Sequence, residues 1–281
     1  KMLKFNKDLS AIHAYLCADG YVIRNPEGRS KYYYIGFRNY NETLLNDFEK
    51  RFCRYFKVKP RRMKDGRSVV QNKKLYFKLT SEHSYYSKDW TFPKLSKENL
   101  KVWLRAYFDC EGWVMNRKAV DRHIGLDSIN HQGIIKIKES LELFGIKCIL
   151  KKNSKRNISR ILIYEKENLI KFKKEIGFLH PNKTIKLNYA IQSYLDYKWK
   201  FNTKKDVIVF LKNRIGRINS KRIRICSKFV ENLEFISRFL DEEFMIYSTL
   251  YGPKYNGLGN KFYELCIQRK EDKEKMITAI S

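Results

Sequence analysis

Apolar residues recur at helical spacing in two stretches of the chain. In the first stretch, Leu9, Ile12, His13, Leu16 and Cys17 follow the i, i+3, i+4, i+7, i+8 pattern of one helix face. The same spacing recurs at Leu100, Trp103, Leu104, Tyr107 and Phe108. Each pattern predicts an amphipathic helix, and an acid followed by glycine comes directly after each. Asn6 and Ser96 are the predicted N-caps, and Gly20 and Gly112 are predicted to end the helices.

Aromatic runs predict strands on either side of a basic segment. Residues 32–37 and 75–79 are rich in Tyr, Phe and Leu, which is typical of strands. The intervening segment 60–74 carries six Lys or Arg residues, and 151–160 carries five. These two basic segments are predicted to be loops between strands.

The chain contains an internal duplication. Residues 14–22 match 106–114 at an offset of 92, with Ala, Tyr, an acid, Gly, an aromatic residue and Val in register. Downstream, 36–41 matches 125–130 at an offset of 89, which also relates Lys94 to Lys183. Each unit is predicted to contain a helix, a strand pair, a helix, a second strand pair and a closing helical segment.

A third, shorter segment resembles the middle of these units. Leu233, Ile236 and Leu240 lie 188 residues after Leu45, Phe48 and Phe52, and 222–227, 244–250 and 262–267 are predicted strands. No acid-Gly pair precedes it, so it is either a degenerate third copy or an unrelated accessory module. The predicted division is 1–95 and 96–200 for the two halves and 201–281 for this segment.

The charge of the chain favours a polyanionic partner. Among 281 residues, 59 Lys and Arg outnumber 30 Asp and Glu, for a net charge of +29. The positive charge is interleaved with Tyr and Asn, which favours nucleic acid over a composition that merely maintains solubility. With 43% hydrophobic and 15% aromatic residues, the chain can build a core, which excludes wholesale disorder.

No segment suggests a membrane or a structural metal. No run approaches the ~18 apolar residues of a span, and no secretory signal is visible. The six cysteines contain no CxxC pair, and the five histidines show no ligand spacing. We therefore expect reduced thiols in a soluble intracellular protein, with the choice between cytoplasm and organelle left open.

Two matched acids are the candidate chemistry. Asp19 and Glu111 follow helices whose small residues Ala14, Ala18, Ala106 and Cys110 recur every four positions. If these helices pack side by side, the two carboxylates meet and repel each other unless a hard divalent cation lies between them. Magnesium ions held there could activate water for phosphodiester hydrolysis.

The two segments resemble the paired motifs of the LAGLIDADG homing endonucleases in their monomeric, two-motif form. The eighth motif position, the metal-binding acid, is Asp19 and Glu111, and the ninth is Gly20 and Gly112. The resemblance covers about residues 5–195. The sixth position is Cys17 in one copy and Asp109 in the other, and the third is Ala rather than Gly. Neither departure removes a metal ligand.

The resemblance implies an α+β fold of two pseudo-symmetric αββαββα halves. Each half would lay a curved antiparallel sheet in the DNA major groove, with the active site over the minor groove. The backbone carbonyls of Ala18 and Cys110 would help Asp19 and Glu111 to hold two or more Mg²⁺ ions. Lys94 and Lys183 match the region of the family's active-site lysines, although an ordinary solvent-facing or phosphate-contacting lysine is the alternative.

Other polar residues are candidates for water positioning and for DNA contact. Asn39 and Ser128 could position water, or could simply be turn and N-cap residues. Residues at alternating strand positions and in the basic loops are candidate DNA contacts, although alternate tyrosines must face the core. These candidates are Arg24, Tyr32, Tyr34, Arg38, Arg61, Arg62, Arg67, Tyr76, Lys78, Arg117, Arg122, Lys151, Lys152, Arg156 and Arg160.

The expected function is site-specific, Mg²⁺-dependent cleavage of double-stranded DNA by a monomer. Two alternatives stay open on the same scaffold. One is an RNA maturase that binds its host intron RNA, and the other is a DNA-binding regulator that has lost catalysis. Asp19 and Glu111 argue against the regulator, because a pure binder gains nothing from two acids that face a polyanion.

Overall fold

The computed structural model of the chain describes residues 3–27, 29, 31–117, 121–153, 157–194, 199–215, 222–256 and 259–281. The chain forms two compact units, Lys1–Asn116 with Asp121–Ile191 and Arg117–Val120 with Gln192–Ser281. No helix in these described ranges is long and apolar enough to cross a bilayer. All six cysteines lie in the described ranges as free thiols.

The first half of the first unit alternates helices with pairs of strands. Its strands pair antiparallel in the order β1-β2-β4-β3. The elements are α1 (Lys7–Cys17), β1 (Gly20–Asn25), β2 (Tyr32–Arg38), α2 (Glu42–Phe56), β3 (Arg61–Arg62), β4 (Arg67–Gln71) and α3 (Lys73–Thr80).

The second half repeats this arrangement. Its sheet has the order β5-β6-β8-β7, which is the same topology as the first sheet. The duplication and the α+β fold with open antiparallel sheets are therefore confirmed. The elements are α4 (Lys97–Glu111), β5 (Gly112–Arg117), β6 (Asp121–Ser128), α5 (His131–Glu142), β7 (Ile149–Asn153), β8 (Ile158–Tyr164), α6 (Lys166–Glu175) and α7 (Pro181–Gln192).

The closing segment of the first half is a helix, and the predicted strand 75–79 is wrong. The Asn72 side chain accepts a hydrogen bond from the Leu75 backbone N–H at 3.0 Å and so caps α3. The strand lies earlier, in β4, where Val69 and Val70 favour an extended backbone. Part of the predicted basic loop is therefore strand.

Both acid-bearing helices begin at the predicted caps. Asn6 accepts from Leu9 N at 2.9 Å and Ser96 from Asn99 N at 3.4 Å. The following glycines do not adopt the left-handed conformation of a helix end. A Cβ on Gly20 would lie 2.3 Å from Leu16 Cα, so the close passage of the strand past the helix requires glycine there.

α1 and α4 pack against each other at the centre of the first unit. Ala14 and Ala106 are buried, as expected of small residues where two helix backbones approach. Every residue from Leu9 to Cys17 is buried, because α1 also contacts α2, β1 and β2. The ends of α1 and α4 are thereby held together, which places Asp19 beside Glu111.

The second unit has the topology of a half without its first strand. Its sheet has the order β10-β11-β9, which corresponds to β7-β8-β6. Its apolar core combines inward-facing strand residues with one side of each helix. The strand predicted over 244–250 begins later, because α9 ends at Phe244, residues 245–248 are irregular and β10 starts at Thr249. The elements are α8 (Lys204–Arg214), β9 (Ile223–Ser227), α9 (Val230–Phe244), β10 (Thr249–Tyr255), β11 (Lys261–Ile267) and α10 (Lys270–Ile280).

One turn occurs at the same place in all three copies. The side-chain oxygens of Asn39, Ser128 and Ser227 each accept the backbone N–H two residues later, at 2.8, 3.1 and 3.1 Å. Each turn joins a strand to the helix α2, α5 or α9. The shared turn and the shared strand order give the second unit the architecture of a shortened third copy.

Candidate active site and nucleic-acid interface

Asp19 and Glu111 lie at the adjacent ends of α1 and α4. Glu111 is the last residue of α4, and Asp19 follows α1 by two residues. Burial raises the pKa of Glu111 to about 7, and the negative charge of Asp19 adds to this effect. The structure therefore brings the two predicted acids into electrostatic contact.

The two acids have different neighbours. Asp19 accepts a hydrogen bond from the Asn39 side-chain amide at 2.8 Å, and the Cys110 thiol also donates to it. Ala18 occupies the position in the first half that Cys110 has in the second, and it has no side-chain donor. Among the described residues, none donates a comparable hydrogen bond to Glu111.

Lys183 supplies the positive charge beside the acids. Its ammonium group donates to the carbonyl oxygens of Phe108 at 3.1 Å, Cys110 at 3.2 Å and Asp109. These carbonyls lie at the negative end of the α4 dipole, where a cation is favoured. Burial lowers the pKa of Lys183, and the surrounding acids oppose that shift.

Asp109 fixes the segment that delivers Lys183. Its carboxylate accepts the backbone N–H groups of Leu179 at 3.0 and 3.1 Å and of His180 at 2.9 Å. Burial raises the pKa of Asp109 to about 6, although these N–H groups favour the ionised form. α7 begins at Pro181, so the sixth motif position anchors the turn that orients Lys183.

In the described part of the chain, no hydrogen bond joins Lys94 or Ser128 to Asp19 or Glu111. Lys94 is exposed and makes none of the hydrogen bonds found for Lys183 within the described part of the chain. Ser128 hydrogen-bonds the Tyr107 hydroxyl and accepts from Asn130 N, so it serves the turn rather than contacting Glu111. Asn39 was predicted to be either a turn residue or a site residue, and it forms the turn and also hydrogen-bonds Asp19.

The sheet of the first half has one side covered by helices and one side open. Ile35 and Phe37 are buried, whereas the residues between them face the other side of the sheet. We call that side the first open face. The Tyr21 ring lies directly on Gly36 there, since a Cβ on Gly36 would be 2.2 Å from the ring. By strand register the face also carries Tyr32, Tyr34, Arg38, Arg61 and Arg67.

The second open face repeats this packing with a different charge pattern. Trp113 lies on Gly125 as Tyr21 lies on Gly36. Arg160 stacks 5.2 Å from the Trp113 ring centroid and forms two hydrogen bonds with Asp127, at 2.6 and 2.7 Å. Asp127 replaces Arg38 on this rung of the ladder. Lys151 pairs with Arg160 and shares the face.

Six candidate DNA contacts do not lie on these open faces. Arg24 lies over the Phe77 ring on the helix side of the sheet, and Lys152 pairs with the buried Ser159 on that side. Arg62 is opposite the buried Ser68 and forms ion pairs with Glu42 at 2.8 Å and with Glu49. By alternation, Arg122 lies on the side of Ile124. Tyr76 and Lys78 belong to α3 rather than to a strand.

The remaining candidates are partly defined. Arg117 ends β5, and Arg156 lies outside the described residues. Reasoning from the sequence missed Tyr21, Trp113 and Asp127, which shape the open faces. The aromatic residue after each acid-Gly pair was visible in the duplication, but the glycine beneath it is 15 or 12 residues away. The aromatic ring and the glycine come together only through the pairing of neighbouring strands.

A family model for the LAGLIDADG-like domain matches residues 98–177. The match covers less than a third of the chain and lies in its second half. The matched region runs from the start of α4 through the whole second sheet and the start of the Asp109-anchored turn. The resemblance stated from the two motifs is thereby confirmed for the segment that contains the second motif.

The chain is also similar to individual proteins. It is 25% identical over 252 residues to the replication factor C small subunit of Thermococcus kodakarensis. The alignment covers 81% of this chain and 28% of that protein. The chain thus spans less than a third of the length of that relative.

Among solved structures, two further proteins show a low level of similarity to the chain. I-DmoI in complex with DNA and Mn is 15% identical with a TM-score of 0.44, covering 60% of this chain and 97% of that chain. I-WcaI bound to its DNA recognition sequence is 16% identical with a TM-score of 0.44, covering 66% and 88%. Likeness at this level carries nothing about activity.

The donor atoms around Asp19 and Glu111 fit a hard cation only in part. No group of three or more His, Cys, Asp and Glu side chains in the described ranges is arranged as a metal site. Two carboxylates that repel each other are nevertheless present, and an ion between them would relieve the repulsion. The Cys110 carbonyl, predicted as a ligand, accepts a hydrogen bond from the positive Lys183. The Cys110 carbonyl oxygen therefore already lies in a place that favours a positive charge.

Proposed function

We propose that the chain is a site-specific endonuclease that cuts both strands of a DNA duplex with Mg²⁺. The observation that carries this proposal is the juxtaposition of Asp19 and Glu111 at the paired helix ends. Ionised together they repel each other, and burial adds to the cost, as the raised pKa of Glu111 indicates. A protein that only bound DNA would be more stable without them, which argues against the regulator.

Each residue of the cluster has a role in this proposal. Asp19 and Glu111 hold the divalent ions, and the Asn39 amide orients the Asp19 carboxylate. The chemistry that such ions supply is activation of water and neutralisation of charge on the leaving oxygen. Lys183 places a fixed positive charge where the phosphate gains negative charge.

The two open faces would supply the duplex-binding surface. Arg38, Arg61 and Arg67 on the first face and Arg160 and Lys151 on the second present cations beside flat aromatic rings. Cations that neutralise phosphates release counterions from DNA, so affinity should depend strongly on salt. Because one chain carries both faces and both acids, we propose that it acts as a monomer.

The test is cleavage-site selection on a randomised DNA library with Mg²⁺, followed by variants on the selected site. Glu111→Gln and Asp19→Asn should each lower double-strand cleavage by at least about 100-fold while binding persists at low salt. Glu98→Gln, an exposed acid in the first turn of the same helix, is the matched control and should cut normally. Persistent cutting by Glu111→Gln would exclude its assigned role. Selective binding to structured RNA without any DNA cleavage would favour the maturase.

A further inference from the structure

The second unit has an open sheet face that none of its own described helices covers. In β9, Ile223 and Ile225 are buried against the helices, while Arg224 and Cys226 are exposed on the other side. β11 places Glu264 opposite Cys226, and β10 places Tyr251 opposite Glu264. These residues, with Arg222 and Lys254, define the third open face.

The third open face and the helix α9 differ in charge. α9 packs on the covered side and carries Glu231, Glu234, Asp241, Glu242 and Glu243 against a single Arg238. On the third open face, three cations accompany one acid, Glu264. The third open face is therefore net positive and α9 is net negative, while α8, with four Lys or Arg residues and one acid, is positive.

The chemistry of the third open face repeats that of the second. Arg224 and Lys254 form ion pairs with Glu264, which is 4% exposed, and Lys254 lies 5.4 Å from the Tyr251 ring centroid. In the second face, Arg160 is paired with Asp127 and stacked on Trp113. Both faces thus fix cations by an acid on a neighbouring strand and place them against an aromatic ring.

We propose that the third open face binds duplex DNA, as an addition to the two faces of the first unit. This inference rests on the proposed function, because it takes the partner of the related sheets to be DNA. Duplex DNA is the occupant favoured by the net positive charge of this face and by the strand order that its sheet shares with the second sheet. Phosphate contact is the expected mode, since the exposed Arg224 lies on the outward side of β9 and the exposed Arg222 comes directly before this strand.

The experiment measures DNA binding of the full chain with Ca²⁺ in place of Mg²⁺, so that binding is separated from cleavage. The open-face variant carries Arg222→Gln and Arg224→Gln. The matched control carries Lys205→Gln and Lys270→Gln, which remove the same charge from exposed positions of α8 and α10. The probe is a 60-base-pair duplex, and an RNA duplex of equal length is compared with it.

The open-face variant should bind DNA about tenfold more weakly near 0.1 M salt, and its log–log salt slope should fall by about 1.8. The control should change the slope by less than half of that. Arg222→Lys with Arg224→Lys keeps the charges and should restore the slope, which separates binding from misfolding. Equal losses in the two Gln variants would overturn the proposal, because only net charge would then matter.

Other outcomes would identify a different occupant. A loss of RNA binding that exceeds the loss of DNA binding would overturn the assignment to DNA. A change in oligomeric state of the open-face variant in sedimentation would instead identify a second copy of the chain. If Glu111→Gln still cuts DNA, the proposed catalytic role fails. The salt dependence of DNA binding tests the third open face independently of that result.

Discussion

The two halves of the first unit share one scaffold and differ around their acids. Asp19 is held by the Asn39 amide and the Cys110 thiol, whereas Glu111 has no such hydrogen bond among the described residues, and the Lys183 ammonium interacts with both acids. The strand orders, the helix caps and the aromatic–glycine packing are the same in both. Duplication thus preserved the backbone and allowed the electrostatics of each acid to diverge.

That difference has a physical consequence. A carboxylate that accepts hydrogen bonds is stabilised in its ionised form, while a buried carboxylate without donors is not. Glu111 accordingly has a raised pKa, and Lys183 only partly offsets its burial. Loss of the Lys183 charge would therefore raise the pKa of Glu111 further.

The largest expected effect separates the two lysines. Lys183→Met should slow cleavage by about 100-fold, because it removes a fixed charge at the site, while Lys94→Met should change the rate less than about threefold. Single-turnover cleavage at saturating enzyme measures both rates. Circular dichroism checks that Lys183→Met is folded. Equal losses of cleavage rate in both variants would show that Lys94 and Lys183 contribute equally, which would contradict the proposed difference between the two halves.

The next effect is on stability in the absence of metal. Between pH 4.5 and about 7, folded Glu111 keeps a proton that the unfolded chain releases, so its contribution to stability falls as the pH rises. In EDTA at pH 8, Glu111→Gln should therefore be more stable than the parent by roughly 1 to 3 kcal/mol. The difference should vanish near pH 4.5. Urea unfolding at the two pH values measures it.

Glu98→Gln is the control for this stability experiment, because that acid is exposed on the same helix. It should leave the unfolding free energy within about 0.5 kcal/mol at both pH values. Equal stability of Glu111→Gln and the parent at pH 8 would contradict the assigned burial of Glu111.

The smallest expected effect concerns the open faces. Asp127→Asn removes an acid beside Glu111 and releases Arg160, so DNA affinity should rise by less than about 1 kcal/mol at low salt. Asp65→Asn is the matched change in the first half, where Asp65 pairs with the exposed Arg67. Fluorescence anisotropy compares the two. A loss of affinity in Asp127→Asn would mean that Asp127 positions Arg160 for DNA.

Repetition made much of this fold predictable. The constant offsets located both acid-bearing helices, and local side-chain spacing located their caps at Asn6 and Ser96. Local rules failed at 75–79, where an aromatic run typical of a strand is capped by Asn72 as a helix. A side-chain cap outweighed the intrinsic preference of the run.

The residues that sequence could not place depend on register or on distant contacts. Arg61 and Arg62 are adjacent, yet one lies on the open face and the other pairs with Glu42 and Glu49. A shift of one residue exchanges the two sides of a strand, and spacing alone does not determine it. Asp109 orients a turn 70 residues away, so its role appears only in the folded chain.

The turn at Asn39, Ser128 and Ser227 shows how a residue with a structural role can also contact a candidate site residue. All three side chains offer an oxygen to the backbone, and that oxygen is all the turn needs. Asparagine alone brings a nitrogen as well, and Asn39 uses it to hold Asp19. The amide group of Asn39 thus links the repeated turn to Asp19, whereas the two serines offer only a hydroxyl group at the same place.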